Sequence, residues 1–279
     1  MTLRTIRVHL RHAATLAIGV AITASAACAG TGTRVPTDVG QADRYLHDKG
    51  TEALAGKRWL RAREYFRQLY DGYPQSAYRP DAKLGLGDAY LGEGSAEALV
   101  LAQNEFSEFL TFYPSSRRAD YAQYRLGMTH FKQMLNSERD QTQTREAVAE
   151  LEAFVARYPK SALASEVKSK LRAARDRLSE SEYRVGVFYH RVRWYPGSIE
   201  RLNGVLEDDP EFTGRDGVHY YLGESLVRLD RKAEALPHFD RIVQEFLKSE
   251  YLERAKKRVA ELKGELAMPA AADPKKAPG

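Results

Sequence analysis

The sequence predicts an all-α solenoid of consecutive helix pairs, and three observations carry that prediction. Tyr73-Pro74-Gln75-Ser76, Tyr113-Pro114-Ser115-Ser116 and Tyr158-Pro159-Lys160-Ser161 are one phrase written three times, with the prolines 40 and 45 residues apart. Counting back twelve, eight and five residues from each proline gives Ala62, Phe66 and Leu69, then Ala102, Phe106 and Phe109, then Ala147, Leu151 and Phe154. Those offsets share one helical face, and the proline then ends the helix by pushing the preceding residue out of the α region. Ahead of three such helices stands a Leu-Gly pair (Leu86-Gly87, Leu126-Gly127, Leu222-Gly223), with Ala82, Ala122 or Val218 four residues before the Leu. A glycine lets the neighbouring helix approach closely. This small/large arrangement, at a period slightly above the usual ~34 residues, is the tetratricopeptide signature. About five helix pairs plus a C-terminal helix fit between Gln41 and about Glu265.

At the N-terminus, Arg4, Arg7 and Arg11 precede an apolar stretch from Ala13 to Ala27, and no acidic residue occurs before Asp38. A basic start, a short apolar core and small residues before a cut describe an export signal over residues 1–27, too short to span a bilayer comfortably. The one cysteine of the chain, Cys28, stands where that signal would be cleaved. Ser25-Ala26-Ala27-Cys28 resembles a bacterial lipobox, with Ser25 where Leu is commonest, so Cys28 is the expected lipidation site. Plain cleavage at Ala24-Ser25-Ala26 is the alternative. Residues 28–40, rich in Gly and Thr, form the expected flexible tether.

The N-terminal lobe is expected over 41–160 and the C-terminal lobe over 161–265. The polar connection Leu135–Thr142 is longer than its equivalents and is expected to be an exposed loop. Between Ser161 and Arg191 no Gly or Pro interrupts the helical pattern until Gly186, which predicts a long helix joining the lobes. Two weaker copies of the register follow: Ser198, Leu202 and Val205 before Pro210, and Ala235, Phe239 and Ile242 before Leu247. Residues 266–279, with three Pro and five Ala, form an expected disordered tail.

Composition excludes several classes. In 279 residues there are 43 Lys and Arg against 38 Asp and Glu, and 43% of residues are hydrophobic. A mean hydropathy of −0.53 excludes a polytopic membrane protein, and a single cysteine excludes a disulfide framework. The pI near 9.1 invites a nucleic-acid reading. Removing residues 1–27 takes away three arginines and no acid, however, so the formal charge falls from +5 to +2. An exported chain also meets no genome, so no nucleic-acid partner is expected.

These features together resemble the BamD family of outer-membrane lipoproteins. The more specific stretches are Asp120-Tyr121-Ala122-Gln123-Tyr124-Arg125-Leu126-Gly127, Glu138-Arg139-Asp140, Asp176-Arg177-Leu178 with Glu182-Tyr183 and Val185, and Ile199-Glu200-Arg201-Leu202. The resemblance covers about residues 41–262. It implies a non-enzymatic scaffold on the periplasmic face of the outer membrane, anchored by an N-terminal lipid. Its partners would be a BamA-like barrel subunit, contacted through its POTRA domains, and unfolded β-barrel substrates. Arg201 is implied in the POTRA contact, and Arg139 and Asp140 are further partner-binding candidates. The rival reading is a periplasmic adaptor coordinating peptidoglycan synthesis or envelope constriction. Such adaptors usually carry a coiled coil, and residues 29–58 show no sustained heptads.

First helices line the concave face of such solenoids. Tyr45, Tyr90, Tyr121 and Tyr124, with Arg125 as a bidentate carboxylate partner, are therefore peptide-binding candidates. Tyr65, Phe66, Tyr70, Phe106, Phe109 and Phe112 are expected in the core. Lys168, Lys170, Arg172, Arg175 and Arg177 are expected on a solvated helix face, and Glu207-Asp208-Asp209 as a solvated helix end. No catalytic residue, metal site or cofactor is expected. His47, His130, His190, His219 and His238 are too scattered for a ligand pair on one helix, and no G-x-S-x-G, Walker A or H-E-x-x-H motif occurs.

Overall fold

Eleven α-helices make up residues 38–267, the part of the chain that this computed structural model describes. The export signal, Cys28, and most of the tether and tail lie outside the described residues. Five pairs follow in order: α1 (Val39–Ala55) with α2 (Trp59–Gly72), α3 (Arg79–Glu93) with α4 (Ala96–Phe112), α5 (Ala119–Phe131) with α6 (Thr142–Arg157), α7 (Ala164–Arg191) with α8 (Tyr195–Asp208), and α9 (Arg215–Arg228) with α10 (Lys232–Glu245). The last helix is α11 (Leu252–Ala267), and no strand occurs among the described residues. Each helix packs on the next, and first helices of successive pairs also touch, α1 with α3, α3 with α5 and α7 with α9.

The repeating register is the buried face. Ala62, Phe66 and Leu69, Ala102, Phe106 and Phe109, and Ala147, Leu151 and Phe154 are all buried, as are Ser198, Leu202 and Val205, and Ala235, Phe239 and Ile242. Glycine on the facing helix makes room for the large member. A Cβ at Gly87 would lie 2.6 Å from the Phe106 ring, and one at Gly223 2.6 Å from Phe239. Phe112 departs from expectation at 60% exposed, because it sits in the last turn of α4, rotated off the face shared by Ala102, Phe106 and Phe109.

The Tyr-Pro-x-Ser phrase has a polar job as well as a helix-stopping one. The Ser76 hydroxyl caps the N–H of Tyr78 and donates to Asp43 of the previous pair at 2.6 Å. Ser161 does the same with Leu163 and Asp120, and Ser249, in the weaker last copy, with Tyr251 and Asp216. Each serine therefore ties one turn to the pair before it. Within pairs, the connecting turns use left-handed residues at equivalent places: Lys57, Gly94, Arg193 and Asp230.

The helix α7 is 28 residues long, twice α8. Its first half buries Val167, Leu171 and Ala174, the first two in a cluster with Leu151 and Phe154 of α6. Its second half meets α8, where a Cβ at Gly186 would lie 2.6 Å from Leu202. The basic run on α7 is not a merely solvated face. Arg172 bonds Asp209 and Asp176, Arg175 pairs with Glu152, Lys170 sits over the Phe131 ring, and Arg177 donates to the Leu135 carbonyl. The 135–142 connection is likewise pinned: Gln141, nearly buried, donates to the carbonyls of Asn136 and Arg139.

Candidate partner-binding surfaces

The aromatic candidates lie among packed helices. Tyr90 and Tyr124 are each 6% exposed. Tyr90 accepts a 2.6 Å hydrogen bond from Arg67, and Tyr124 donates to Glu166 at 2.5 Å while its ring meets Phe154 edge-on. Tyr121 donates to Asp88 at 2.8 Å, and Arg125 donates to the other oxygen of Asp88 at 2.7 Å. Tyr45 is half-buried on α1. Of the peptide-binding candidates, Tyr90 and Tyr124 are thus corrected to core residues, and the Arg125 guanidinium is engaged by Asp88, while Tyr45 and Tyr121 are half-buried. First helices stand side by side, so a phenol or guanidinium pointing along that face reaches the next pair before it reaches solvent. Burial pushes the Asp88 carboxyl up, against the pulls of Arg125 and Tyr121 that act to lower it.

The other candidates are on the surface. Arg201, on α8, is 49% exposed and pairs with Glu182 of α7 at 3.1 Å. Its position one step from buried Leu202 gives the solvent-facing direction that the register predicts. Arg139 is exposed, with no carboxylate in ion-pair distance among the described residues. Asp140 is exposed and accepts the Thr142 hydroxyl at 2.7 Å and its backbone N–H at 3.0 Å. Those bonds hold its carboxyl below the usual range.

Arg139 and Glu182 line one groove of about 790 Å³ across the middle of α7, between α6 and α8. Arg201 reaches it through Glu182. Arg145 and Arg175 line it too, together with Asp208 and Glu211 and the apolar Val148 and Leu178. The length of α7 opens this groove, because α6 and α8 dock on its two halves.

Two polar sites escaped the sequence reading. Asp209 is buried rather than solvated, bonded by Arg172 at 2.9 Å and by Ser179 at 2.6 Å. Burial alone would raise its carboxyl, but these donors win and hold it below the ordinary range. His219 and His238, on α9 and α10, face each other with their Nδ1 atoms 3.0 Å apart. No sequence pattern signals either pairing, since 37 and 19 residues separate the partners. Among the described residues, no three His, Cys, Asp or Glu side chains form a metal-binding group, and no helix is long and apolar enough to cross a membrane.

The family model described as YfiO, an outer membrane lipoprotein, matches residues 40–222. The chain is 30% identical over 228 residues to the outer membrane protein assembly factor BamD of Caulobacter vibrioides, covering 81% of this chain and 73% of that protein. It is 26% identical to the protein of the same name in Vibrio cholerae, covering 60% of this chain and 72% of that one. Among solved structures, the TPR2AB domain of yeast Sti1 aligns with a TM-score of 0.47 at 11% identity, over 81% of this chain and 85% of that one.

Proposed function

The chain belongs to the YfiO family of outer membrane lipoproteins, and on that premise we propose that it is an outer membrane protein assembly factor that works by binding, without catalysis. In this proposal Cys28 carries the lipid, the chain sits on the periplasmic face of the outer membrane, and the α6–α7–α8 groove docks the POTRA domains of a barrel-inserting subunit. Unfolded β-barrel proteins are its substrates.

The observation that best supports this docking site is that Arg139 and Glu182 line one groove and Glu182 pairs with Arg201 at its edge. An exposed pair such as Arg201–Glu182 contributes only ~0–1 kcal/mol, so a partner carboxylate can replace Glu182 at little cost. Arg139 needs no such exchange, having no carboxylate to give up.

Detergent-solubilised chain should copurify with a POTRA-bearing barrel protein. Arg201→Glu should remove that partner, at a binding cost of ~2–5 kcal/mol if the contact is desolvated, yet shift folding stability by no more than ~0.5 kcal/mol. A folded Arg201→Glu chain that keeps its full complement of partner would overturn the assignment. So would wild type bringing down a peptidoglycan synthase instead.

A further inference from the structure

A second groove, of about 510 Å³, lies beside α7 where it faces α9 and the turn before α11. Tyr183, Tyr221 and Tyr251 line it. Their rings touch at centroid distances of 6.2 and 6.1 Å, and the hydroxyls of Tyr183 and Tyr251 are 3.3 Å apart. Mutual packing holds these rings, so they form a wall that needs no ordering when something lies against it. On the rim stands Phe188, 58% exposed, a large apolar side chain left in water.

The charges around this wall are unbalanced. Arg184 is occupied, by Glu138 at 2.6 Å and Glu180 at 2.7 Å. Arg139 and Arg191 also line the groove, and neither has a carboxylate within ion-pair distance among the described residues. The two acids that line the groove share Arg184, while Arg139 and Arg191 stay without a carboxylate, so three arginines against two glutamates leave the lining one positive charge in excess. An aromatic wall between free guanidinium groups matches a ligand that alternates apolar side chains with carboxylates. The groove is open and holds a few side chains, which suits an extended segment and not a folded domain.

We propose that the Tyr183–Tyr221–Tyr251 groove binds an extended acidic peptide segment, its aromatic or aliphatic side chains against the tyrosines and Phe188 and its carboxylates on Arg139 and Arg191. This goes beyond the docking role; the two grooves share Arg139, so the test rests on Arg191 and Phe188, which line this groove and not the other. The groove is lined by α7, α9 and the turn before α11 together with Ser137, Glu138 and Arg139 of the α5–α6 connection, and none of the buried tyrosines of α3 and α5 lines it.

The test uses a fluorescein-labelled octapeptide of alternating Asp and Phe, blocked at both ends, titrated by anisotropy against the detergent-solubilised full chain. Saturable binding is expected, weakening as salt is added. Arg191→Glu and Phe188→Ser should each weaken it tenfold or more with the thermal midpoint held. Arg201→Glu should leave it unchanged, which separates this groove from the docking site. The proposal is overturned if an alternating Lys and Phe peptide, or an Asp and Ser one, binds as tightly as the probe. Full binding by folded Arg191→Glu and Phe188→Ser chains overturns it as well. Capture of the chain by phosphatidylglycerol vesicles through these residues, with no peptide binding, would assign the patch to a lipid surface instead.

Discussion

Asp209 illustrates how one residue decides between a solvated cap and a structural ion pair. It follows the acids Glu207 and Asp208 and precedes Pro210, a pattern that reads locally as a helix end in water. The fold instead lays α7 over it and supplies Arg172 and Ser179. Arg172→Ala would strand a buried carboxylate without its counter-ion, a loss of about 3–5 kcal/mol that urea unfolding should register. The histidine pair has its own signature. Burial first, then His238 and the guanidinium groups of Arg241 and Arg215, depress His219 to about 3, and His238 is lowered as well. The unfolded chain takes up protons near pH ~6.5 that the folded pair refuses. The pair's stabilising contribution is therefore fully present above that pH and is lost as pH falls from there towards the folded value. The slope reaches at most about 1.4 kcal/mol per pH unit for His219. His219→Phe should flatten the fall in thermal midpoint between about pH 7 and about pH 5. An unchanged slope would remove the pair as its source.

Among the elements, the Tyr-Pro-x-Ser turn and α7 matter most. The turn's serine is a staple between pairs, so its loss should be felt beyond the turn. Ser161→Ala removes a hydrogen bond to the Asp120 carboxylate and a cap on Leu163 N–H, and should cost about 1–3 kcal/mol in denaturant unfolding. Ser115, exposed at the variable position of the same phrase, is the control, and Ser115→Ala should stay within ~0.5 kcal/mol. Equal effects would deny the staple. At 28 residues against the 14 of α8, α7 is about four turns longer. It separates the packing faces of α6 and α8 along one helix and leaves the groove lined by Arg139 and Glu182 between them.

For the whole molecule, the prediction concerns attachment. In the proposed function the acyl chains on Cys28 hold the protein to the membrane, each buried CH₂ contributing ~0.8 kcal/mol. Cys28→Ala should move the protein to the soluble periplasmic fraction and abolish palmitate labelling. A chain that stays with the membrane when no longer labelled would require a second anchor. A wild type that never takes label would sink the acylation proposal.

What the sequence determined by itself was the repeat. A period near forty, with apolar residues at fixed offsets from a proline, specifies which face of each helix is buried, because helical geometry turns spacing into direction. Leu202, Phe239 and Ile242 were legible on that rule even where the Tyr-Pro phrase was missing, and Arg201 followed as their polar neighbour. Polar side chains obey no such rule. Whether Tyr124 reaches a ligand or Glu166, whether Arg125 is free or held by Asp88, and whether His219 meets His238 depend on which helix stands opposite. Those partners are 19 to 42 residues away in the chain. Burying an apolar side chain is favourable against any apolar neighbour, so its pattern survives in one dimension. A hydrogen bond or ion pair needs a particular partner at a particular distance, and only the tertiary structure supplies it.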